Sequence, residues 1–192
     1  MFIQTEATPN PATLKFLPGK EVMPSGTADF RDAEGARATS PLAGRLFDVP
    51  GVTGVFLGYD FVTVTKEDEP DWQHLKPAVL GAIMEHFMSG LPVMADESAN
   101  DTAADEGSEF FEDEDKEIVL TIKELLDTRV RPAVAQDGGD ITFRGYRDGT
   151  VFLNMKGACA GCPSSTATLK HGIQNLLRHF VPEVQEIQEV PL

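Results

Sequence analysis

The sequence predicts an α+β protein made of two small α/β domains joined by an acidic flexible linker. Three observations predict it. The net charge of −15 is concentrated: residues 96–115 carry 10 acidic groups and no basic one, against 7 basic and 12 acidic in 1–95 and 9 of each in 116–192. Both flanks alternate short strand-like runs with segments whose apolar residues recur at helical spacing. The second flank reads α-β-β-α-β, with a Cys-x-x-Cys pair at its strand-to-helix turn. The expected boundaries are 1–92, 93–115 and 116–192.

In the first domain, Phe2–Thr5 and Ala12–Leu17 read as strands separated by the turn-rich Thr8-Pro9-Asn10-Pro11. Pro41–Phe47 reads as a short helix, with Ser40 as its cap and Pro41 in the first position, where a missing N–H costs nothing. Val52–Leu57 and Phe61–Thr65 flank Gly58-Tyr59-Asp60 as a hairpin. A longer helix then starts near Asp71 and sets Trp72, Leu75, Val79, Leu80, Ile83 and Phe87 on one face. His74 and His86 lie on that helix as ordinary surface or boundary residues. With no phosphate loop, carboxylate pair or nucleophile–base pattern, this domain reads as a docking module, and the protein as no enzyme.

The linker has no apolar periodicity beyond Phe110-Phe111, and its like charges repel one another. Such a chain is a solvated spacer. The basic residues form no patch, which excludes a nucleic-acid surface, and no stretch is long and apolar enough for a membrane span.

The second domain opens with an amphipathic helix from Lys116 to about Val130, its apolar face carrying Ile118, Ile122, Leu125, Leu126 and Val130. Pro132 is expected to kink or restart it, and Asp137-Gly138-Gly139 to end it. Strands Ile141–Arg144 and Thr150–Met155 follow, joined by a turn through Asp148-Gly149. A helix from Pro163 carries Leu169, Ile173, Leu176, Leu177 and Phe180 toward the core, leaving His171 and His179 in solvent. Val184–Val190 completes the order as a last strand.

Cys159 and Cys162 are the chain's only cysteines, three apart in Lys156-Gly157-Ala158-Cys159-Ala160-Gly161-Cys162-Pro163. One turn can point both sulfurs at one target, next to the positive end of a helix dipole that favours thiolate. Gly157 and Gly161 let the backbone approach whatever the sulfurs hold. The pair therefore reads as two thiolates presented at a surface. Iron–sulfur clusters and structural zinc both call for about four ligands, which this chain reaches most simply by facing a second copy across a twofold axis.

At these residues the sequence resembles a known family. Val130–Asp140, Gly157–Ser165 and the tail through Val190 are similar to the C-terminal domain of NifU, as found in Nfu-type iron–sulfur scaffold and carrier proteins, and Phe2–Phe16 resembles the N-terminal domain that accompanies it. The resemblance implies a cluster, usually [4Fe-4S], bound by Cys159 and Cys162 of each of two subunits. It implies a homodimer when loaded, apo iron–sulfur proteins as acceptors and upstream assembly proteins as donors. Mitochondrial members carry a transit peptide, and Met1–Glu6 shows neither that character nor a signal peptide's. The expected compartment is accordingly a bacterial cytoplasm, or the mitochondrial matrix for a mature form. Two rival readings of the cysteines stay open: a thiol–disulfide oxidoreductase, although Ala158 stands where thioredoxin-like proteins have an aromatic, and a dimeric structural zinc site.

Overall fold

The computed structural model describes residues 1–95, 109–160 and 163–190, with 163–165 described in backbone only. The chain divides into two compact units, Met1–Ala104 and Asp105–Leu192, each with its own hydrophobic core.

The first unit is a five-stranded antiparallel sheet of order β1-β2-β5-β4-β3, built from Gln4–Ala7, Thr13–Leu17, Ala28–Phe30, Val52–Leu57 and Val62–Lys66 in chain order. Helices α1 (Ala33–Thr39), α2 (Pro41–Phe47) and α3 (Trp72–Ser89) accompany it. Leu42 and Leu46 of α2 and Leu75, Val79 and Ile83 of α3 share one core with Phe16, Val55, Leu57, Val62 and Val64 of the strands. The expected cap is present, since Ser40 Oγ accepts the Ala43 N–H at 3.1 Å. The expected hairpin is present as well, its Gly58 N–H donating to the Phe61 carbonyl.

Three features of this unit differ from expectation. The first strand runs Gln4–Ala7, set by its antiparallel register with Leu14–Leu17. Strand β3 and helix α1 were not foreseen, because α1 buries only Ala36 and its hold comes from Asp32, which accepts the Gly35 N–H at 2.7 Å. His86 is no surface or boundary residue: it is fully buried on the inner side of α3.

The second unit follows the expected α-β-β-α-β order. Helix α4 (Lys116–Leu125) passes through a π-helical turn, Leu126–Val130, into α5 (Arg131–Gln136). Strands β6 (Gly139–Arg147) and β7 (Thr150–Gly157) form an antiparallel hairpin, and α6 (Pro163–Phe180) crosses over to β8 (Glu186–Glu189), which pairs parallel to β7. Asp148 and Gly149 turn the hairpin with φ of 51° and 79°, the paired positive angles of a type I′ turn. Ile141, Phe143, Val151, Leu153, Met155 and Ile187, all odd-numbered, lie in the core. A bulge between Phe143 and Gly145 shifts the parity, so that even-numbered Tyr146 joins them.

On α4, Val119 is buried where Ile118 was expected, and Ile118 packs partly against the core. Phe180, expected inside, is 46% exposed at the end of α6, with the Arg129 guanidinium 5.1 Å above its ring. The outermost parts of the expected linker are held by the units they adjoin. Ala95 donates to the Thr39 carbonyl at one end, and Phe110 pairs with β6 at the other. The acidic stretch 96–108 between them lies outside the described residues. Among the described residues no helix is long and apolar enough to cross a membrane.

Candidate functional site

The site is built where β7 ends and α6 begins. The strand stops at Gly157, which pairs with Gly139 of β6 and turns away with φ 65°, a conformation that favours glycine. Ala158 donates its N–H to the Gly138 carbonyl at 3.2 Å, and Ala160 closes the turn on the Gly157 carbonyl at 3.1 Å. Thr166, in the first turns of α6, donates its hydroxyl to the Cys159 carbonyl at 3.1 Å, tying helix to turn.

Cys159 departs from the expectation of an exposed thiolate. Its side chain is buried within the core of the unit, in the cluster that includes Val130, Val134 and Ile141. The reason lies across the hairpin. A Cβ on Gly139 would stand 2.7 Å from the Cys159 sulfur and 2.6 Å from the Lys156 carbonyl, so glycine there leaves the space that the sulfur fills. Loss of water pushes the thiol up to about 12, with the negative charges of Asp137 and Asp140 adding to the effect. In this arrangement Cys159 is a protected, protonated thiol. Cys162 and Gly161 lie outside the described residues.

Beneath the turn, Asp140 is buried with its charge fully engaged. Arg131 grips it with two hydrogen bonds, Nε to Oδ1 at 2.9 Å and Nη2 to Oδ2 at 3.0 Å, and reaches Asp127 with Nη1 at 3.0 Å. Asp140 Oδ1 also accepts the Ile141 N–H at 2.8 Å. Such a bidentate pair fixes orientation as well as charge. The hydrogen bond to Asp140 is the largest influence raising the Arg131 pKa, so this cation stays charged. Asp127 and Arg131 are neighbours at i and i+4 on the helical segment, and Arg131 reaches from there to Asp140 at the start of β6. This network was not foreseen in the sequence, where Arg131 and Asp140 are ordinary charges on either side of a helix end.

His171 and His179 are exposed on α6, as expected, and His74 is exposed on α3. His86 belongs to the other unit's core. Among the described residues, no three or more His, Cys, Asp or Glu side chains are grouped so as to hold a metal ion.

Comparison with known proteins matches both units. Residues 3–90 fit the family described as scaffold protein Nfu/NifU N terminal, and residues 122–188 fit the NifU-like domain. Curated relatives bear the name NFU1 iron-sulfur cluster scaffold homolog, mitochondrial. Those of Drosophila sechellia and Homo sapiens are each 51% identical over 191 residues, 99% of this chain. The chain spans 65% of the length of the fly protein and 72% of the human one. A solution structure of a NifU-like protein from Saccharomyces cerevisiae is 29% identical, with a TM-score of 0.46 over 50% of this chain and 87% of that one.

Proposed function

The chain belongs to the Nfu family of NifU-like iron–sulfur cluster scaffold proteins, and we propose that it carries a cluster as cargo on Cys159 and Cys162, shared with the same pair of a second copy, and hands it to apo-proteins. One observation carries the shared site. The chain has two cysteines, and its described residues offer no further group of metal ligands. A [4Fe-4S] cargo asks for about four thiolates, which two copies supply.

The buried Cys159 fits a carrier. A thiol held protonated in the core is sheltered from oxidation, and cargo binding must draw the sulfur out as thiolate. The short turn after Gly157 is the segment that would move. Incoming acceptor thiolates then replace Cys159 and Cys162 one at a time by ligand exchange. Residues 1–92 serve as the docking module and residues 116–192 as the cargo domain, with donors among upstream assembly proteins. The mitochondrial names of the relatives support the matrix as the compartment.

The test is anaerobic reconstitution followed by iron and sulfide counts and a mass measurement in solution. The expected outcome is one cluster per two chains, reverting toward monomer on chelation. Cys159→Ala and Cys162→Ala each abolish it, whereas His171→Ala and His179→Ala leave the visible spectrum unchanged. An intact cluster on a monomer would sink the shared site. A colourless zinc protein or a metal-free redox-active disulfide would replace the cargo reading altogether.

A further inference from the structure

The approach to α4 shows a second binding feature, remote from the sulfurs. Phe110 lies along β6, the terminal strand of its three-stranded sheet. Its N–H donates to the Arg144 carbonyl at 3.1 Å, and its carbonyl accepts the Tyr146 N–H at 2.9 Å, a parallel bridge opposite Gly145. Its ring fills the room left by that glycine, where a Cβ would come within 2.6 Å of the ring carbons. The ring stands 5.0 Å from the Phe152 ring, centroid to centroid, with the Arg147 guanidinium 5.5 Å away on its centroid. One residue earlier, the Glu109 carboxylate pairs with Lys123 Nζ at 2.5 Å, and that ammonium lies 5.6 Å from the Phe143 ring.

These contacts are those of a peptide-recognition site. Backbone pairing to a strand edge holds an extended chain, one pocket takes an aromatic ring, and a cation reads the acid before it. A connecting segment needs none of that specificity, and the neighbouring Phe111 and Glu112 are left exposed. We propose that the β6 edge at Arg144–Tyr146 is a receptor for an extended acid–Phe pair in another protein, and that Glu109-Phe110 is its resident occupant, displaced when such a partner binds.

Charge complementarity picks the partner's chemistry. Lys123 selects a carboxylate, while Gly145, Phe152 and Arg147 select the flat ring that follows. Gly145 and Gly139 stand at opposite parts of β6, so the receptor lies about 20 Å along the strand from the sulfur turn. A partner held there leaves Cys159 unobstructed. The resident pair, tethered at an effective concentration of roughly millimolar, sets the threshold a partner must exceed.

The experiment uses the full chain and a synthetic hexapeptide copying residues 107–112. Phe110→Ala empties the pocket, so the peptide should bind this variant at least ten times more tightly than the unaltered chain. The same peptide with alanine in place of its first phenylalanine should not bind, and adding Lys123→Gln should weaken the peptide severalfold. Should Phe110→Ala fail to fold, Glu109→Lys expels the resident pair by repulsion from Lys123 and leaves the pocket intact. Equal binding to opened and unaltered chains, binding that ignores the phenylalanine, or none at millimolar peptide would each overturn the proposal.

Discussion

At the scale of single residues, Cys159 shows how burial changes chemistry that spacing alone suggests. A thiol raised to about 12 holds about a thousandfold less thiolate near neutral pH than an ordinary one at 9. In the metal-free Cys162→Ser variant, iodoacetamide should therefore modify Cys159 at least about a hundredfold more slowly than the unfolded chain. Rates equal to the unfolded chain's would mean that the sulfur is not held in the core. The same shift is a statement about stability. Protonated sulfur is favoured in the fold, so its contribution is complete below pH 9 and is lost as pH rises from 9 toward about 12. Cys159→Ala should flatten that part of the stability profile. The motif itself was legible, since two cysteines three apart among glycines announce themselves. The burial was not, because it depends on Gly139, which is distant in sequence and meets Cys159 only through the β6–β7 register. The Arg131–Asp140 pair stayed hidden for the same reason.

At the scale of elements, periodicity revealed what local chemistry decides and missed what packing decides. The Asp148-Gly149 turn, the Ser40 cap and the apolar side of α3 follow from residues close in sequence. Helix α1 and strand β3 carry no such periodicity: α1 buries only Ala36 behind its Asp32 cap, and β3 is three residues set by their register with Val55–Leu57. Pro132 is expected to kink or restart its helix, and the helix restarts there: α5 begins at Arg131 with proline in its first turn, after the π-helical Leu126–Val130. Helix α3 hides a further feature. His86 is enclosed beside the Phe87 ring, and neither ring nitrogen has a well-formed hydrogen bond among the described residues. Burial first, then the nearby Arg45 charge, lowers its pKa, while the Leu91 backbone partly opposes the change. A lowered histidine pKa means that the fold favours the neutral ring over the protonated one. Its stability contribution is complete above pH 6.5 and is lost as pH falls below that value. Chemical denaturation of the full chain from pH 7.5 to 5 should show the first unit weakening with acid, and His86→Leu should remove most of the dependence. An unchanged acid dependence in that variant would assign it to other groups.

At the scale of the whole molecule, the two units have separate cores. Composition reads ten acids with no base over 96–115 as a spacer, yet Glu109 and Phe110 of that run pack on the second unit. The finer limits were not legible, because Phe110 reads as one apolar residue in an acidic run until β6 supplies Gly145 opposite it. The division of labour proposed for the units predicts how they behave apart. If the cargo chemistry resides in the second unit, a fragment starting at Glu109 should assemble a cluster and transfer it. Starting at Lys116 would remove Phe110 and expose its pocket, so that shorter fragment should be less stable by about 1–2 kcal/mol, the usual cost of losing packed contacts. If the first unit docks acceptors, its tether raises the local concentration of the cargo unit near a bound target. The 109–192 fragment should then transfer more slowly than the full chain at low concentration, and the difference should shrink as both proteins are concentrated. Acceptor activation followed over time at several concentrations separates the possibilities. A fragment that never loads removes the cargo role from the second unit, while one that matches the full chain with every acceptor removes the docking role from the first.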